Sequence, residues 1–188
     1  MWLRLVGPKR GARGPTRVKD MPARDARTRG AMRIARLDLA DAALARRLLE
    51  VSVQAYGAEA ALIGQPDLPM MTETMVELRA LDVTWDGVLD DSDQLVAACA
   101  WASRDDRDRS VLSIERLIVD PAWVRRGLGR LLLRALPRGR RAVVSTGAAN
   151  APAIALYEAE GFRIAGSYEA VPGLVMISME RVESYGIA

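Results

Sequence analysis

Residues 114–133, IERLIVDPAWVRRGLGRLLL, decide how this chain folds. An apolar strand turns at Asp120-Pro121 and feeds a basic, glycine-containing loop into a helix. In that helix Leu128, Leu131, Leu132, Ala135 and Leu136 recur at i, i+3, i+4, i+7 and i+8, and Pro137 stops it. Such a junction is an anion site by construction, because the first helical N–H groups lack intrahelical partners and the helix dipole places partial positive charge on them. Gly127 and Gly129 have no side chain to hold a phosphate away from the backbone, while Arg125, Arg126 and Arg130 add full positive charge. The expected ligand is a pyrophosphate. A six-residue GxGxxG fingerprint is not met, since Leu132 stands at the last glycine position, and no Lys-Ser/Thr pair completes a P-loop. Taken alone, the segment also fits a tight turn with solvated arginines.

Outward from this junction the pattern is regular. MRIARLD (32–38) alternates as a first strand, and Asp38 or Asp41 caps a helix whose Leu44, Leu48, Val51 and Ala55 form one apolar face. Gly57 is expected to end it. Residues 56–71 read as an irregular connection before a second helix over 72–80. VTWDGVLD (83–90) and QLVAACAWAS (94–103) form a hairpin, and SVLSIERLIVD (110–120) follows a second polar turn as a long strand. After the Leu-rich helix come a strand, RAVVST (141–146), a helix capped by Asn150 and ended by Gly161, and a closing hairpin over 162–181. The resulting order is strand, two helices, three strands, helix, strand, helix, two strands: one α/β domain with a mixed sheet and helices on its faces.

Composition removes several chemistries. The 188 residues include no His and the single Cys99, so no His-based triad or thiolate zinc site can be assembled, and no metal is expected. A lone Cys forms no internal disulfide and suits a reducing cytoplasm; within the apolar run 96–101 it reads as a small buried hydrophobe. No apolar stretch approaches the roughly 18 residues that span a bilayer, so a membrane partner is not expected. The net charge of +3 conceals a division, with +7 in residues 1–30 and −4 over 31–188. Residues 1–31 mix Arg, Gly and Pro without apolar periodicity and are expected to form a disordered basic extension. Such an arm can bind nucleic acid, but the in-frame Met21 and Met32 favour a dispensable extension.

A second block, NAPAIALYEAEGF (150–162), completes the picture. Together with Val124-Arg125-Arg126-Gly127-Leu128-Gly129 it resembles the two motifs of the GCN5-related N-acetyltransferase (GNAT) superfamily. These are Q/R-x-x-G-x-G/A between the fourth strand and third helix, and N-x-x-A-x-x-L-Y-x-x-x-G-F. One departure is visible: Val124 stands where the motif opens with Gln or Arg. The resemblance covers roughly residues 32–182 and implies a single-domain GNAT fold over 32–188, a mixed, mostly antiparallel sheet of six to seven strands flanked by about four helices. It also implies acetyl-CoA as cosubstrate.

Position by position, the resemblance puts the pantetheine arm against the backbone of Leu117, Ile118 and Val119, added like a strand. It puts the pyrophosphate on the main chain of Arg125, Arg126, Gly127, Leu128, Gly129 and Arg130, with Asn150 contacting the cofactor and Tyr157 beside the thioester sulfur. Asn150 also reads as a plain N-cap, and Tyr157 as a core aromatic. A phenol near pKa 10 can protonate a leaving thiolate, whereas an alkyl amine of pKa about 10.4 must first lose a proton to attack. Glu115, a carboxylate inside an otherwise apolar strand, is the candidate base, since burial would raise its pKa; an ion pair with a neighbouring Arg is the other reading. Some relatives carry a Glu in the strand before the Asn motif, which RAVVST lacks, and water relayed by Ser145 is a further route.

The expected activity is therefore cytoplasmic N-acetyl transfer from acetyl-CoA to a primary amine by direct attack, with catalytic Tyr157 and Glu115 and no covalent acetyl-Cys99. A non-catalytic acyl-CoA sensor and a basic-armed nucleic-acid-associated protein are the rival readings. The acceptor, a small-molecule or peptide amine, has no recognisable code in residues 56–80 or 167–174. Asp67, Glu73 and Glu77 can attract an amine or serve as ordinary helix charges. A homodimer is expected only by analogy with relatives.

Overall fold

A computed structural model describes residues 32–65, 68–106 and 109–182. The extension 1–31, with the disorder expected of it, and Asp67 lie outside the described residues. The elements follow the order read from the sequence: β1 (Arg33–Arg36), α1 (Ala42–Ile63), α2 (Met75–Ala80), β2 (Thr84–Leu89), β3 (Leu95–Asp106), β4 (Arg109–Val119), α3 (Leu128–Ala135), β5 (Ala142–Gly147), α4 (Ala151–Ala159), β6 (Arg163–Val171) and β7 (Leu174–Arg181). They form a seven-stranded sheet in the order β1-β2-β3-β4-β5-β7-β6. Every neighbouring pair is antiparallel except β4 with β5.

Alternation along the strands divides the core between the two faces. On β3, Cys99 joins Ile114, Leu128, Leu132, Leu133 and Tyr157 beneath α3 and α4, while Ala98 and Ala100 join Leu48, Val51, Tyr56, Leu78 and Ile118 beneath α1 and α2. Cys99 is fully buried, and burial pushes its thiol pKa far up, so it stays protonated as part of the core.

Two departures from the sequence reading position the site. First, α1 does not stop at Gly57 but runs to Ile63 and ends at Gly64, whose left-handed backbone (φ 70°) lets its N–H reach Ala60 O. Gly57 lies where a Cβ would meet only the Met71 methyl, at 3.9 Å, so the helix passes through it at the cost of about 1 kcal/mol in propensity relative to Ala. Second, β4 and β5 pair only over Leu112–Ser113–Ile114 with Ala142–Val143–Val144. Beyond that point Ser145 to Gly147 stay with β7, while β4 stays with β3 as far as Val119, and the two parallel strands part. The parting coincides with a bulge: Arg116 faces Ala100 and Ile114 faces Trp101, leaving Glu115 as the extra residue. The added turns of α1 lie over this opening, with Ile63 3.5 Å from where a Cβ on Gly147 would stand. Helix α2 starts later than expected, at a reciprocal cap between Thr74 and Glu77.

Candidate active site

The turn after β4 is fixed from both sides. The Asp120 carboxylate accepts from Arg47 Nη2 at 2.7 Å and from Ala122 N–H at 2.9 Å, while Arg47 Nε donates to Leu95 O at 3.1 Å. This ties α1 and β3 to the loop. The backbone is left-handed at Arg125 (φ 61°) and again at Gly127 (φ 81°), a geometry that gathers main-chain N–H groups into an anion-binding concavity. Holding a non-glycine residue there costs about 1 kcal/mol or more, strain that the surrounding structure must impose. Helix α3 closes its first bond from Leu131 N–H to Gly127 O at 2.9 Å, and no side chain caps it. The N–H groups of Leu128, Gly129 and Arg130 therefore lack intrahelical partners.

The three arginines of the loop are not equivalent. Arg126 stacks 4.5 Å over the Trp123 ring, whereas Arg130 is drawn to the far end of α4, pairing with Glu160 at 2.9 Å beside Arg134. Arg130 thus offers its main chain to the loop while its guanidinium is engaged elsewhere. Gly129 also differs from expectation. A Cβ there would approach Leu156 Cδ2 to 2.9 Å and Leu117 Cδ2 to 3.7 Å, so its smallness seats α3 against α4 and β4. The two sequence motifs meet at this contact.

On β4, Asp120 N–H donates to Val96 O, which fixes the alternation. Counting back, Ile118 turns its main-chain groups toward β3, and Leu117 and Val119 turn theirs toward the opening, where β5 no longer pairs. Of the three residues expected to meet an added strand, two present that edge and Ile118 holds the strand in the sheet.

Asn150 and Tyr157 stand across the opening on α4. The Asn150 side chain accepts from Ala153 N–H at 3.1 Å, the N-cap reading, and its Nδ2 donates to Glu59 Oε1 on α1 at 2.8 Å. Tyr157 packs edge-on against Phe162 at 5.5 Å. Burial above all, then Cys99, Glu59 and Tyr56, hold its phenol pKa far above the ordinary value. Tyr56 on α1 is likewise held protonated, chiefly by burial; Arg116 opposes the shift, and Glu59 and Glu73 add to it.

The carboxylates around this opening have different partners. Glu73 makes a two-point pair with Arg116 at 2.5 and 2.7 Å, with both side chains nearly buried. Burial, the largest single influence, opposes the charge of Arg116, but the hydrogen bonds to Glu73 together with the charge interactions of Tyr56, Glu73 and Glu115 outweigh it, so its pKa rises. Glu77 belongs to the α2 cap. Glu115 lies exposed on the bulge, paired with Arg104 at 2.5 Å. The burial on which its candidacy as base rests is not there, because the bulge turns it out of the apolar register. Glu59 was missed by the sequence reading, which ended α1 at Gly57. The run Tyr56, Ala60 and Ile63, with Gly64 two residues before Pro66, is the signal that the helix goes on.

Residues 83–164 match the model of the acetyltransferase (GNAT) domain. PaiA N-acetyltransferase of Thermoplasma acidophilum, solved in complex with coenzyme A, superposes with a TM-score of 0.64 at 16% identity, over 81% of this chain and 99% of that one. YncA of Salmonella typhimurium, solved with acetyl-CoA, gives 0.60 at 18% identity, over 85% and 98%. The curated UPF0157 protein YqkA of Bacillus subtilis (strain 168) is 29% identical over 140 residues, 72% of this chain, and the chain spans 39% of the length of that relative. Residues 83–164 are thus similar to the acetyltransferase (GNAT) domain, and the chain has the fold of the acetyltransferase structures on which it superposes.

Proposed function

We propose that this protein transfers an acetyl group from acetyl-CoA to a primary amine of a small molecule or peptide, in the cytoplasm. The observation that carries the reading is a coincidence in space. The uncapped start of α3, the unpaired main-chain edge at Leu117 and Val119, and the buried phenol of Tyr157 border one opening between β4 and β5. The first suits a diphosphate, the second the amides of a pantetheine arm, the third a leaving thiolate. Val124 at the head of the loop leaves this reading intact, because the donors are main-chain groups.

The reaction balances with these parts. The amine nitrogen attacks the thioester carbonyl carbon, a C–N bond forms, the C–S bond breaks, and the electron pair leaves on sulfur. Tyr157, kept protonated by burial, gives its proton to the thiolate and recovers one from the nitrogen of the adduct. The test is release of CoA thiol from acetyl-CoA over a panel of primary amines. Amine-dependent release is the expected result; saturable acetyl-CoA binding with no release over the panel would make the protein an acyl-CoA sensor instead.

A further inference from the structure

We infer that Glu59 receives the acceptor's ammonium group and takes its proton, a role resting on the acetyl-transfer reading above. Of the four carboxylates around the opening, two are neutralised by arginine, Glu73 by Arg116 and Glu115 by Arg104, and Glu77 is taken up by the α2 cap. Glu59 has a neutral partner, the Asn150 amide, and no arginine or lysine pairs with it among the described residues. A half-buried carboxylate without a cation partner is a costly arrangement that a bound cation relieves.

Its position fits the chemistry. Glu59 is held from α1 over the gap between β4 and β5, and its charge reaches both Tyr56 on its own helix and Tyr157 on α4. The phenol proposed to protonate sulfur and the carboxylate that would deprotonate nitrogen therefore flank the same space. The other groups whose charge acts on these two phenols are Arg116 and Glu73, locked in their mutual pair, and Cys99 on β3. The proton balance closes: an ammonium gives one proton to Glu59, which passes it to solvent, and the neutral nitrogen then attacks. A second nitrogen proton replaces the one Tyr157 donates.

The test is Glu59→Gln in the full chain, with acetyl-CoA and two nucleophiles, ethylamine and hydroxylamine. The substitution keeps a side-chain oxygen for Asn150 to donate to and removes the charge and the proton affinity. Ethylamine is protonated at neutral pH and needs a base, whereas hydroxylamine is already largely neutral. Transfer to ethylamine should fall about 10²-fold or more, transfer to hydroxylamine by less than about threefold, and the ethylamine deficit should narrow as pH rises toward the amine's pKa. Equal losses with both nucleophiles would mean a structural role, and no loss would mean none; either overturns the role of Glu59 and leaves acetyl transfer standing. A wild-type chain that binds acetyl-CoA yet acetylates neither nucleophile overturns both readings.

Discussion

From Asp120 to Arg130 the site is made of main chain: left-handed turns at Arg125 and Gly127, uncapped N–H groups at the start of α3, and a strand edge that β5 has abandoned. Across the opening it is made of side chains brought from afar, with Glu59 meeting Asn150 over 91 residues of chain and Glu73 meeting Arg116 over 43. The first half lies within the segment that matches the GNAT domain model, residues 83–164, while α1 and α2 lie outside it. A site of main-chain donors tolerates a changed side chain such as Val124 and leaves a local imprint on the sequence. A site of side chains exists only once the helices are docked, so the proposed acceptor half is where chains that share the proposed cofactor loop can differ.

The contrast can be broken most forcefully at its buried ion pair. Arg116→Ala would leave Glu73 charged and nearly buried, and should cost about 3 kcal/mol or more in denaturant unfolding. Pairing Arg116→Met with Glu73→Leu should recover most of that loss; a mild effect of the single change would mean that the acceptor half is loosely built. Next comes Tyr157, the proposed proton donor. Tyr157→Phe should lower kcat about 10²-fold with acetyl-CoA affinity nearly unchanged. The wild-type pH–rate profile should show no fall near pH 10, the ordinary phenol value, because burial raises that pKa. Unchanged turnover would remove Tyr157 from the mechanism.

Smaller effects sharpen the cofactor side. A Cβ at Gly127 would meet nothing within 4 Å, so Gly127→Ala should cost only its backbone conformation, about 1 kcal/mol in stability, while weakening acetyl-CoA binding. The smallest effect is expected at Glu115→Gln. An exposed pair is worth about 0–1 kcal/mol, and turnover should stay within about threefold of wild type. A loss of 10²-fold there, by contrast, would restore Glu115 as the base.

These two halves also mark what the sequence could tell. Element order, the α3 junction and the Asn150–Phe162 helix were legible because each is written in local periodicity, caps and glycines. The bulge at Glu115 was not, since no Gly or Pro announces it, and without the bulge the residue's apolar neighbours argue for burial. Glu59 was hidden by a glycine in mid-helix: Gly57 carries the usual stop signal, but the helix runs through it and is capped at Gly64. The engagement of Arg130 with Glu160 was equally out of reach, because it depends on how α3 and α4 pack.

In the proposed reaction, main-chain donors at the start of α3 hold the diphosphate of the coenzyme. Amide resonances followed during a titration of the labelled protein with CoA test it most directly. The N–H signals of Leu128, Gly129 and Arg130 should move together and saturate with the ligand. Saturable binding that leaves these three unmoved would mean that the diphosphate sits elsewhere on the protein.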